Sequence, residues 1–311
     1  MLTLHIGVGK TATTSLQNLF FARHPGLRYL GVGHDLRGAH PEFRQAVLDL
    51  LQRDSLTWDP EPARRAADAA LAEAGDRPVL YSNENILDSD RDKGQIMDRL
   101  RQAFAPCRIL VTIREQRSFL RSLYGHDNNK LKGLPAPCNG RFISIEDWLD
   151  YHHGLLARER GWLWLGHYHH LARGLAAAFG PENVKFLLFE QFRADRTAFL
   201  RELCAFVGME YDAGLDAGLG EKRLNAQRAD RWLQKQLYMH GLRTRGSWLA
   251  ACPALLRLAG AIHSNRHREP APVRIDIPPD WDERLCALFR ESNAALARAT
   301  GLPLAQYGYA L

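Results

Sequence analysis

The sequence predicts an α/β protein with a central parallel β-sheet, helices on both sheet faces and a helical C-terminal section. Three observations lead there. Short apolar runs alternate with longer stretches at helical spacing, the order that builds parallel sheets. Those runs are close to continuously apolar, as strands covered on both faces are. The chain also opens on a strand, a loop of Gly, Lys and hydroxyl residues, and then a helical pattern with Leu16, Leu19 and Phe20 at helical spacing.

The strands are expected at Leu2–Gly7, Leu27–Val32, Pro78–Ser82, Arg108–Ile113 and Val184–Phe189. Between them, helices are expected at Thr13–Arg23, Pro41–Arg53, Pro62–Ala74, Lys93–Ala103, Glu115–Gly125, Ile145–Arg158 and His167–Phe179. Ser144 caps the helix that begins at Ile145. Gly180-Pro181 ends the helix before the last strand. After Phe189 the pattern turns helical, over Thr197–Val207, Ala226–His240, Trp248–Ile262 and Asp280–Thr300. No repeat or low-complexity linker divides the 311 residues, so one domain over 1–311 is expected, with a variable helical insertion at about 240–272.

That insertion holds an apolar run from Trp248 to Ala259, with Arg243 and Arg245 before it and Arg266 and Arg268 after it. It reads either as a helix packed on the core with basic ends or as an interfacial helix touching a membrane surface. Pro253 starts or kinks it.

Composition is that of a globular protein, 46% hydrophobic and 24% charged. There is no run of apolar residues long enough to span a bilayer and no basic, cleavable leader at the start, so a cytoplasmic protein is expected. The five cysteines, Cys107, Cys138, Cys204, Cys252 and Cys286, show no metal or disulfide spacing. A net charge of +6 suits an anionic ligand, and no nucleic-acid recognition motif accompanies it. The histidine clusters do not make a metal site: His263 and His267 stand four apart, but Ser264 occupies the place where a zinc-protease motif has glutamate. Nothing in the sequence fixes the oligomeric state.

The opening loop reads Val8-Gly9-Lys10-Thr11-Ala12-Thr13-Thr14-Ser15. Backbone N–H groups at a helix start, a lysine and several hydroxyls together cradle phosphate. A nucleoside-triphosphatase loop is the first candidate, but its leading glycine would fall at Leu4, inside the strand. The strand Arg108–Ile113 is followed by Arg114, a cation where a magnesium site needs a carboxylate. A kinase or NTPase using ATP and Mg²⁺ is therefore the alternative reading. A cation at the C-terminal end of a central strand lies on the ligand crevice of an open α/β sheet.

Lys10-Thr11-Ala12-Thr13-Thr14-Ser15, together with Arg114 and a serine eight residues on at Ser122, resembles the sulfotransferases that use 3′-phosphoadenosine 5′-phosphosulfate (PAPS). Phe179 to Phe192, Arg223-Leu224-Asn225-Ala226, Glu291-Ser292-Asn293 and Tyr307-Gly308-Tyr309 also resemble bacterial members. The resemblance implies a P-loop-like sulfotransferase fold and transfer of a sulfuryl group to a hydroxyl or amine of a carbohydrate, lipid or small metabolite, without a metal. It assigns the 5′-phosphosulfate to Gly9, Lys10, Thr11, Ala12, Thr13, Thr14 and Ser15, and the 3′-phosphate to Arg114 and Ser122. Arg223 and Asn225 join the nucleotide site. Lys10 is expected to stabilise the leaving phosphate oxygen. Ala12 stands where the family often has glycine, a modest demand on the backbone.

The acceptor must lose a proton. Glu84, in Tyr81-Ser82-Asn83-Glu84-Asn85, resembles the acidic stretch of bacterial members and is the expected general base. His34, Asp35 and His126 are the other acceptor-site candidates.

Overall fold

The computed structural model describes residues 1–32, 40–87, 92–130, 142–221, 226–244, 246, 251–266 and 275–311. The five expected strands all form: β1 (Leu2–His5), β2 (Arg28–Val32), β3 (Val79–Ser82), β4 (Arg108–Ile113) and β5 (Val184–Leu188). They make one sheet in the order β2-β3-β1-β4-β5. Every pairing is parallel. Each strand was expected within two residues of its observed ends.

Two compact units gather the chain: residues 1–116, 162–222 and 286–311 form the first, and residues 117–161 and 223–285 the second. The first contains the whole sheet. Leu80, Leu110 and Leu187 point to one sheet face, where they join Leu16, Phe20 and Phe21 and the helix α10 (Arg196–Val207) through Phe199, Leu200 and Leu203. The neighbouring residue Tyr81 points to the opposite face, as strand periodicity requires. There its ring meets Phe43 of α2 (Pro41–Gln52), which stacks on Phe104 of α4 (Lys93–Phe104). Helix α3 (Glu61–Ala74) turns five alanines inward on that side. Helix α8 (Tyr168–Phe179) buries Leu171 and Leu175 and ends at Gly180, φ +84°.

The stretch expected as one helix from Thr13 to Arg23 departs from α geometry. It is a single α turn, α1 (Thr13–Ser15), then a π turn over Leu16–Phe20, then a 3₁₀ turn over Phe21–Arg23. A π turn carries more residues per turn than an α-helix. Gln17 is buried there beside Leu16, Leu19, Phe20 and Phe21.

Helix α5 (Gln116–Lys130) ends five residues beyond its expected end, and all but its first residue belongs to the second unit. In that unit, Ser144 accepts a hydrogen bond from the Asp147 N–H and caps α6 (Ile145–Gly154), as the sequence predicts. Helix α12 (Ala226–Thr244) packs against α13 (Pro253–Arg266). Pro253 starts α13; of the expected start at Trp248, residues 248–250 lie outside the described residues. Helix α13 buries Leu256 and exposes Leu255, Leu258 and Ile262 on one face. His263 stacks flat on Tyr238 at 4.2 Å, and His267 lies outside the described residues. Among the described residues, no helix is long and apolar enough to cross a membrane. Cys107 and Cys204 are buried free thiols, and burial pushes both up to about 12.

Three of the described helices lack a counterpart among the expected elements: α7 (Gly161–Leu165), α9 (Phe189–Ala194) and α11 (Ala213–Glu221). They are short, five to nine residues, and carry too few turns to show a period. Helix α14 (Pro279–Thr300) starts one residue before its expected start.

Candidate active site

The order of the sheet decides where a ligand goes. β1 sits between β3 and β4: after β1 the chain builds β2 and β3 on one side, then crosses to build β4 and β5 on the other. The crevice outside the carboxyl ends of such strands is the binding place of open α/β sheets. Three segments meet there: the loop after β1, the turn after β3 and Arg114 after β4.

The loop after β1 stays on the sheet for three residues. The Ile6 N–H donates to the Leu110 carbonyl and the Val8 N–H to the Thr112 carbonyl, each at 2.9 Å. Gly7, between them, has no room for a side chain: a Cβ there would stand 1.9 Å from Thr112 Oγ1. The loop then turns through two left-handed residues, Lys10 at φ 68° and Ala12 at φ 63°. Such a position costs an L-residue with a Cβ roughly 1–2 kcal/mol. The demand on Ala12 is therefore larger than the sequence reading allows, and the usual glycine would meet it without penalty. Successive N–H groups in turns with left-handed residues form anion-binding concavities. Thr11 and Thr13 are buried, Lys10, Ala12 and Ser15 half-buried, and Thr14 exposed.

Arg114 reaches the same loop. Its Nη1 donates to the Lys10 carbonyl at 3.0 Å, and its guanidinium lies 4.6 Å over the Phe189 ring. Burial disfavours its charged form, which the nearby Glu190 carboxylate partly offsets. Glu190 is itself pushed up by burial. It accepts the Glu115 N–H at 3.0 Å and the Tyr309 hydroxyl at 3.2 Å. The Tyr168 hydroxyl donates to the Arg114 carbonyl at 2.9 Å. Gln116 exchanges hydrogen bonds with buried Asn293, which also holds the Ala310 carbonyl. The family-like residues Glu190, Asn293 and Tyr309 thus brace the strand end that carries Arg114.

Glu84 opens a short 3₁₀ turn after β3 and is half-buried. Its Oε2 accepts a 2.9 Å bond from Gln17 Nε2, which also donates to Ser82 Oγ at 3.0 Å. The expected base and the segment after the β1 loop are therefore joined by one side chain. Beneath them, Ser82 is bonded to His5 Nδ1 at 2.8 Å, and His5 Nε2 to Thr112 Oγ1 at 3.2 Å. Thr112 meets Thr11 Oγ1 at 2.7 Å, and Thr11 donates to the Val8 carbonyl at 2.7 Å. Burial lowers His5 from 6.5 to about 4.

The first unit thus brings Lys10, Thr11, Ala12, Thr13, Arg114 and Glu84 to the carboxyl ends of β1, β3 and β4. Ser122 and His126 lie on α5 in the second unit, both half-buried. His34, Asp35, Arg223 and Asn225 lie outside the described residues. Sequence reasoning missed Gln17, His5 and Thr112. For His5 and Thr112 the signal was available: a polar residue inside an otherwise apolar buried strand must find a hydrogen-bond partner.

A crystal structure of a sulfotransferase from Alicyclobacillus acidocaldarius aligns over 98% of this chain and 97% of its own, with TM-score 0.56 and 18% identity. The fold is that of the sulfotransferases. A mouse sulfotransferase complexed with PAP aligns over 96% of this chain and 85% of its own, at 12% identity and TM-score 0.47. A sulfotransferase domain from the curacin biosynthetic pathway aligns over 69% and 76%, at 12% identity and TM-score 0.43. No protein-family model and no curated protein matches the sequence.

Proposed function

We propose that this chain is a sulfotransferase that takes its sulfuryl group from PAPS and passes it to a hydroxyl or amine acceptor. The observation that carries the reading is the meeting of a lysine-bearing left-handed loop, a guanidinium on that loop's backbone and a carboxylate one side chain away. The loop fits a phosphate ester: left-handed Lys10 and Ala12 turn its amides into a concavity, and the Thr11 and Thr13 side chains line its buried side.

Bound PAPS supplies an activated sulfuryl group: as the acceptor oxygen or nitrogen bonds to sulfur, the bond from sulfur to the 5′-phosphate oxygen breaks and its electron pair leaves with the phosphate. Lys10 places a positive charge where that leaving oxygen gains charge, so it stabilises the transition state more than the ground state. Arg114 is held on the loop and presents a charged fork to phosphate oxygens. Glu84 takes the proton that the acceptor releases. No step requires a carboxylate-bound magnesium ion, and the cation Arg114 stands at the strand end where such a carboxylate belongs.

The reading is tested by incubating the protein with PAPS and the probe acceptors 4-nitrophenol and glucosamine in the presence of a chelator. PAP should form with the wild type, and at least about 100-fold more slowly with Lys10→Ala, as for loss of a group that stabilises developing charge. Hydrolysis of ATP–Mg²⁺ with no consumption of PAPS would overturn it in favour of a kinase or NTPase.

A further inference from the structure

Gln17, Ser82, His5, Thr112 and Thr11 form an unbroken buried chain of hydrogen bonds, and the donors in it can be assigned by counting protons. Each hydroxyl has one. Thr11 gives its proton to the Val8 carbonyl, so in its 2.7 Å contact with Thr112 the donor is Thr112. The Thr112 proton is then committed, so across the 3.2 Å contact it is His5 Nε2–H that donates. Neutral His5 is left with a bare Nδ1, to which Ser82 donates. The Ser82 oxygen is then free to accept from Gln17, whose second N–H goes to Glu84 Oε2. The opposite amide orientation would face the Gln17 oxygen with a carboxylate. Every group donates and accepts in one consistent direction, from Gln17 down to the carbonyl of Val8 in the phosphate loop.

We propose that Gln17 is the positioning residue of the transfer reaction: its amide holds Oε2 of Glu84, turning Oε1 toward the acceptor proton, and the directed chain to Val8 fixes that amide against the donor loop. This rests on the reading of Glu84 as base and of the loop as donor site. Gln17 lies in the π turn and is buried, so its amide is held from both sides. Acceptor-side base and donor-side loop then keep one relative placement, which an in-line displacement demands.

The test uses Gln17→Met, which keeps side-chain length and loses both donors, alone and combined with Glu84→Gln. PAPS turnover with 4-nitrophenol, or with water, gives kcat and KM, and calorimetry gives the affinity for PAP. The proposal expects kcat to fall about 10–100-fold, as for loss of a hydrogen bond to a charged group. KM for PAPS and the PAP affinity should stay within about twofold, a split that general unfolding would not give. In the Glu84→Gln background, Gln17→Met should cost nothing more. Effects that multiply, or a silent Glu84→Gln, overturn the positioning role. Absence of PAP binding to the wild type overturns the sulfotransferase reading instead. A second measurement needs neither turnover nor a variant: ¹⁵N NMR of His5 should show the Nε2–H tautomer at neutral pH, and the Nδ1–H tautomer would contradict the chain's direction.

Discussion

Gly7→Ala is the smallest change that this structure makes expensive. The added Cβ would stand 1.9 Å from Thr112 Oγ1, 3.0 Å from the Thr112 amide nitrogen and 3.1 Å from His5 Nε2. None of these can retreat cheaply. Thr112 is fully buried in the middle of the sheet, and its hydroxyl is bonded to both His5 and Thr11. Overpacking a dense core costs about 1–3 kcal/mol. Turning the Thr112 hydroxyl away forfeits two buried hydrogen bonds at about 1 kcal/mol each. The expected loss is about 3–5 kcal/mol, a large share of the roughly 5–15 kcal/mol that holds a domain together. Urea unfolding followed by circular dichroism measures it. Thr112→Ala removes the oxygen that the methyl meets, so the double variant should recover at least about 1 kcal/mol relative to the sum of the singles. A Gly7→Ala protein within about 0.5 kcal/mol of wild type would refute the close approach of the loop to β4.

Three further outcomes are expected. Ala12→Gly relieves a left-handed alanine but loosens the unfolded chain, so the net gain should be about 0.5–1 kcal/mol by urea unfolding. Burial lowers His5 from 6.5 to about 4, so the unfolded state binds the proton first as pH falls. The stabilisation is complete above pH 6.5 and disappears toward pH 4; it amounts to about 3 kcal/mol, and His5→Gln should flatten the pH dependence of stability by that amount. Arg114→Lys keeps the charge but loses the planar fork and the contact with the Phe189 ring, so the affinity for PAP should fall about 10-fold or more in calorimetry.

Much of the fold was legible because its strands are buried on both faces. Leu80, Leu110 and Leu187 sit in continuous apolar runs that leave little choice of secondary structure. The turn after β1 was legible for a different reason: Gly9, Lys10 and Thr11 between a strand and a helix make a local pattern that does not depend on distant residues. What a period cannot show is geometry that tertiary packing imposes. The π turn at Leu16–Phe20 is one such case: the spacing of Leu16, Leu19 and Phe20 fits an ordinary α period, and nothing local announces the wider turn. The left-handed angle at Ala12 is set by the loop's closure on β4, not by alanine's preference. The link from Gln17 to Glu84 joins residues 67 apart in sequence, and only the sheet order brings them together. His5 and Thr112 were in plain view as polar residues within apolar strands; asking where their hydrogen bonds go would have placed β1 beside β4.

If the proposed function holds, the crevice outside β1, β3 and β4 binds a 3′-phosphorylated nucleotide through Lys10 and Arg114. Calorimetry with PAP and AMP, in a chelator, tests this most directly. PAP should bind without metal, AMP should bind far more weakly, and Lys10→Ala and Arg114→Ala should each weaken PAP. Equal binding of PAP and AMP, or binding of ATP only with Mg²⁺, would contradict it.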